Sequence, residues 1–163
     1  MRCVLQRVSS AEVRVGGDVV GAIARGLVVL VGIEHDDHAS EVKQAADRLT
    51  SIRLFEDDRG RMNLGPGDVG AEFLLVSQFT LAGEPLTKGR RPSFDGAALP
   101  AQAEILFSTL VGELKSRGFR VATGRFGATM EVSLVNSGPV TFVLDVRGAK
   151  STKEASRAAQ EKS

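Results

Sequence analysis

The chain has 163 residues, a net charge of +1, 42% hydrophobic and 25% charged residues, which fits one ordinary globular domain and excludes disordered, collagen-like and low-complexity classes. Residues 1–149 carry 17 basic and 18 acidic side chains, so the body is not a general polyanion binder, and any nucleic-acid contact has to be local. A single cysteine, Cys3, excludes an internal disulfide framework and fits a reducing compartment.

The opening stretch, MRCVLQRVSS, has no long apolar run before a small-residue cleavage site, so no signal peptide is expected. Strands are predicted over 2–9 and 12–15, followed by a turn at Gly16-Gly17 and a returning strand from Val19 to Ile23. After Gly26, LVVLVGI reads as a strand buried on both faces. Its apolar run is far too short to cross a membrane, and a cytoplasmic location is expected. EHDDHAS leads into a helix whose apolar positions, Val42, Ala45, Ala46, Leu49 and Ile52, follow the helical period. Arg53 to Phe55 reads as a short strand, and EDDRGRMNLGPGDVG as a polar connection with at least one turn. FLLVSQF (73–79) is another predicted strand. The irregular segment 82–99 has a length that is often functional.

A second helix is predicted from Pro100, with Ala103, Phe107, Leu110, Val111 and Leu114 on one face and Gly118 at its end. Strands at Phe119–Thr123, Thr129–Val135 and Val140–Val146 close the domain, which is set at 1–147. Residues 148–163 hold no large apolar side chain and read as a polar, mobile tail. Strands with only two good helices predict a mixed sheet, or two stacked sheets, with helices on one side.

EHDDH (34–38) contains both histidines, but its spacing fits no zinc signature. Asp36 and Asp37 suit the entry to a helix, so no metal is expected. Cys3 lies in the first strand with no nearby histidine and reads as a buried thiol. KGRRPSF (88–94) places three cations within four residues, as a solvated loop or as phosphate contacts. In LLVSQFTLAG (74–83) an apolar strand suddenly carries Ser77, Gln78 and Thr80, which can line a pocket beside the long loop. Ser77 or Thr80 as a nucleophile needs an adjacent base, and both histidines lie some 40 residues earlier, so a Ser-His-Asp triad is unsupported. NSGPVT (136–141) puts a proline, which cannot donate to a sheet ladder, directly before a strand-like run. Its plain reading is a turn.

SQFTL (77–81) and NSGPVT (136–141) together resemble the two signatures of the D-aminoacyl-tRNA deacylase family, the second being its Gly-cis-Pro motif. MRCVLQRVSSAEV, IRLFEDDRGRMN, KGRRPSF and GRFGATMEVSLVNSGPVT are also similar, so the resemblance spans about residues 1–146. Ser137 stands where the family usually has Asp, and AGEPLT (82–87) departs from the usual loop.

The resemblance implies a three-layer α/β/β fold and a homodimer, with no cofactor. It implies hydrolysis of the ester of D-aminoacyl-tRNA or glycyl-tRNA. The pocket would form around Ser77, Gln78, Phe79 and Thr80, with Phe126 and Met130 near the terminal adenine. Gly138 and Pro139 of the other subunit would enter it, and their carbonyls would exclude L side chains. The substrate's 2′-hydroxyl would assist catalysis. Thr80 as a nucleophile and a non-catalytic tRNA-binding module are the competing readings.

Overall fold

The structure is a computed structural model, which describes residues 1–83 and 90–147. The described residues form eight strands and two α-helices: β1 Arg2–Val15, β2 Asp18–Ile23, β3 Gly26–Gly32, α1 Ala39–Ser51, β4 Phe55–Glu56, β5 Met62–Leu64, β6 Glu72–Ser77, α2 Pro100–Ser116, β7 Val121–Thr123 and β8 Glu131–Asp145. The main sheet runs β2-β1-β3-β6-β7, with β8 on the free side of β1, while β4 and β5 form a separate ribbon.

The connections follow from strand direction. β1 is antiparallel to β2, β3 and β8, whereas β3, β6 and β7 run parallel. Parallel neighbours need crossovers, and α1 and α2 lie in the two connections that supply them. Their apolar stripes, Val42, Ala45, Ala46 and Leu49 on α1 and Ala103, Phe107, Leu110 and Leu114 on α2, pack with Leu5, Leu27, Val29, Phe73 and Leu75. A second cluster holds Val8, Ala11, Val13, Ile23, Val28, Leu74 and Val76 on the opposite face. The sheet curls around this cluster until β2 reaches β7, where a side chain at Gly21 would collide with the Thr123 carbonyl. The outcome is the layered, mixed α/β architecture expected. β3 and β6 are buried on both faces because they separate the two clusters.

Several boundaries differ from expectation. β1 is one continuous strand. The strand expected over 73–79 stops at Ser77, and Phe79–Ala82 forms a 3-10 turn. The strand expected from Phe119 begins at Val121, and the short strand expected at 53–55 is Phe55–Glu56. The two final strands are one, β8, because β1 is long enough to ladder both halves. Opposite Gln6 stands Thr141 and opposite Val8 stands Asn136, so Ser137–Val140 bulge out over Arg7 alone. The proline therefore sits in a bulge, where its missing N–H does not interrupt the ladder.

Helix entry is also arranged differently. His38, not an aspartate, is the cap residue of α1, and its N–H donates to Glu41 Oε2 at 2.9 Å. Asp37 instead accepts from the Glu34 N–H at 2.7 Å and from the buried Met1 ammonium at 2.5 Å. Burial raises the Asp37 carboxyl above its usual range, against the pull of that ammonium. Among the described residues no cluster of His, Cys, Asp and Glu is arranged to hold a metal. Among the described residues no helix is long and apolar enough to cross a membrane. Cys3 is fully buried, and burial pushes its thiol up to about 12. The expected polar tail at 148–163, and Lys88 of KGRRPSF, lie outside the described residues.

Candidate active site

The end of β6 builds the site. Gln78 donates the last ladder bond, N–H to the Val31 carbonyl at 2.8 Å, and the chain then turns so that the Leu81 N–H reaches back to the Gln78 carbonyl at 3.2 Å. This tight turn fits only because position 32 is glycine: a Cβ there would stand 2.6 Å from Leu81 Cβ and 3.1 Å from the Gln78 carbonyl oxygen. The Gln78 amide donates to Thr80 Oγ1 at 2.6 Å. Among the described residues, no carboxylate or imidazole hydrogen-bonds Ser77 or Thr80, so neither hydroxyl has the base a nucleophile needs.

Beside the turn lies a cavity of about 650 Å3, lined by Ser77, Gln78, Phe79, Phe94, Phe126 and Met130 among others. One wall is the segment before α2, fixed by the Ala98 N–H to the Ile33 carbonyl at 3.0 Å and the His35 N–H to the Gly96 carbonyl at 3.0 Å. Phe79 and Phe94 meet edge-on at 5.2 Å, and Phe126 leans on Phe107 of α2 at 6.2 Å. The cavity is thus mostly apolar and aromatic, with amide and hydroxyl groups at one end, the lining a ligand pocket requires.

The second motif is elsewhere. Gly138 lines a different cleft, with Arg7, Arg25 and Phe55. The Gly138–Pro139 peptide is cis, and Gly138 has φ +140°, where a Cβ would stand 2.7 Å from Val140 Cγ2. The bulge is braced from both ends. Arg7 Nε donates to the Ser137 carbonyl at 2.9 Å, and the Val140 N–H donates to Asn136 Oδ1 at 2.7 Å. Support therefore comes from the Ser137 backbone and not from its side chain, which is exposed. Around the bulge, β8 exposes Val135, Phe142 and Val143 at 57%, 42% and 63%.

The sequence matches the D-Tyr-tRNA(Tyr) deacylase family over residues 4–145. The chain belongs to this family. A relative in Anaeromyxobacter dehalogenans, a D-aminoacyl-tRNA deacylase, is 52% identical over 147 residues, which are 90% of this chain and 98% of the relative. A solved structure described as c-Myc DNA Unwinding Element Binding Protein superposes with a TM-score of 0.84 at 37% identity, covering 91% of this chain and all of that one. A further structure, of a probable eukaryotic D-amino acid tRNA deacylase, shares the fold with a TM-score of 0.76 at 20% identity, covering 89% of this chain and 98% of that one.

Within this family member, Ser77, Gln78, Phe79, Phe126 and Met130 line one cavity. Thr80 touches it through Gln78, and Gly138 and Pro139 lie outside the lining of that cavity. Sequence reasoning misses Arg7 and Asn136 as braces. A signal for Arg7 exists: it alternates with Cys3 and Leu5 and so falls on the buried side of its strand.

Proposed function

We propose that this chain hydrolyses the ester joining a D-amino acid, or glycine, to the terminal adenosine of tRNA, releasing both. The observation that carries the reading is the cavity at the end of β6, in a chain that matches the family along nearly its full body. Adenine packs against Phe126 and Met130, as bases do on apolar and aromatic groups. The first N–H groups of the turn at Phe79 and Thr80 have no partner within a 3-10 turn and are suited to a developing oxyanion.

Among the described residues no base is hydrogen-bonded to Thr80, and in this reading water attack is assisted by the 2′-hydroxyl of the substrate's own ribose. The protein contributes placement. Discrimination rests on a second copy of the chain. Its Gly138-Pro139 bulge enters the cavity, where backbone carbonyls hold the α-amino group and leave no room for an L side chain. The exposed apolar strip of β8, on an edge strand beside the bulge, supports such a homodimer.

The test follows amino-acid release from D-tyrosyl-, L-tyrosyl- and glycyl-tRNA. Release from the D and glycyl forms with the L form spared is expected. Equal rates on D and L forms would sink the chirality claim. A module that binds nucleic acid without hydrolysis, a reading favoured by the likeness to the 37%-identical DNA unwinding element binding protein, predicts no release from any of the three. A tRNA ending in 2′-deoxyadenosine should be hydrolysed far more slowly, and a trapped acyl-Thr80 would instead establish the covalent route.

A further inference from the structure

We infer that the cleft beneath the Gly138 bulge is an anion site, and that it takes a phosphate group of the nucleic-acid strand that carries the reacting ester. This rests on the tRNA reading above. The cleft holds about 310 Å3 and is walled by Arg7, Ser9, Arg25, Phe55, Glu56 and Gly138, none of which lines the larger cavity.

Two guanidinium groups face this one space against a single carboxylate. Glu56 is engaged by Arg7 Nη2 at 3.3 Å. Arg7 also donates Nε to Ser137 and Nη1 to the Leu54 carbonyl at 2.7 Å, so part of its donor set is still uncommitted. Arg25 has no ion pair among the described residues. Its guanidinium carbon lies 5.3 Å from the centroid of the Phe55 ring. This cation–π contact engages the face of the ring and uses none of the guanidinium N–H donors, which suits a forked oxyanion. The exposed Ser9 hydroxyl adds a further donor.

Position selects the source of the anion. If the bulge reaches the α-amino end of a substrate in the partner's cavity, the cleft at its base stands beside the strand leading to that end. A phosphodiester recurs there at every nucleotide. The folded body has no general excess of positive charge, so two arginines in one cleft are a local concentration.

The experiment compares wild type, Arg25→Ala and Arg25→Lys. Binding of uncharged tRNA is measured against salt concentration. Arg25→Ala should flatten the log–log slope by about 0.7, the value for one phosphate contact on a single strand, and Arg25→Lys should keep most of it. An unchanged slope would overturn the inference. In kinetics, Arg25→Ala should raise KM for D-tyrosyl-tRNA several-fold and leave hydrolysis of 3′-O-D-tyrosyl-adenosine, which has no phosphate, as it was. Equal losses on both would assign Arg25 to the amino-acid end and overturn it too. So would a selective loss on D-aspartyl-adenosine, which marks a carboxylate site. Inorganic phosphate should compete with tRNA on the wild type and not on Arg25→Ala. Phosphate that stays bound beside tRNA, seen by phosphorus NMR, would assign the cleft to a free anion and overturn the strand-phosphate assignment. The binding arm needs no catalysis, so a wild type that fails to hydrolyse either substrate defeats the deacylase reading while the slope still decides the cleft.

Discussion

Arg7 joins three stretches of chain that are far apart in sequence. Its guanidinium bonds the Leu54 carbonyl, 47 residues away, the Ser137 carbonyl, 130 away, and the Glu56 carboxylate. Arg7→Met would keep the buried stem packed and leave two carbonyls without donors. A buried unsatisfied acceptor costs about 1–3 kcal/mol, so urea unfolding should show a loss of about 2–4 kcal/mol, with deacylation falling further as the bulge loses its anchor. Arg7→Lys, with one point of contact in place of a fork, should recover only part of either. The alternation of MRCVLQR makes the burial of this arginine legible. Its acceptors are not legible, because they are backbone carbonyls, and every residue has one. The same holds for Ser137, where a backbone oxygen and not the side chain receives the bond.

At the scale of elements, period and punctuation locate both helices and the buried strands, since each buries one apolar stripe or two faces. The strand after Phe73 reads too long because Phe79 is a good strand former, and nothing local announces the turn. The turn is set by a neighbour, Gly32 on β3, which leaves space for Leu81. Gly32→Ala should push the Phe79–Ala82 turn off β3. Overpacking of this kind costs about 1–3 kcal/mol, and kcat/KM for D-tyrosyl-tRNA should fall by about tenfold or more, because the groups at the cavity lose their placement. Circular dichroism should stay unchanged. β8 offers a pH test. Arg2 Nε donates to Asp145 Oδ1 at 2.7 Å, and this bond holds the carboxyl below its usual range. A lowered carboxylate pKa adds stability above the unfolded-state value, and that stability is lost as pH falls through the lowered one. The Arg2 and Asp145 side chains are 34% and 40% exposed, so solvent screening should keep the gain below about 1 kcal/mol. Asp145→Asn should therefore flatten the acid limb of the stability curve slightly, with the variant and wild-type curves merging once pH has fallen through the lowered carboxyl pKa.

For the whole molecule, the sequence motifs point to one site, but the fold places them in two. Ser77, Gln78 and Phe79 face one cavity and Gly138 faces a separate cleft, and the proposed homodimer would join them from two copies. No residue pattern along a single chain gives that separation, which depends on the curl of the sheet and on the bulge in β8. The consequence can be tested without a structure of the assembly. Gln78→Ala damages the cavity, and Gly138→Val damages the bulge, since a side chain there meets Val140 and Arg7. Each variant alone should be nearly inactive. When both chains are co-expressed with different tags, about half of the dimers are mixed, and each mixed dimer has one site with both substitutions and one with neither. Total activity should then recover to about a quarter of the wild-type value, and the purified mixed dimer to about half. If bulge and cavity instead served the same protomer, every site would carry one defect, and mixing would restore nothing.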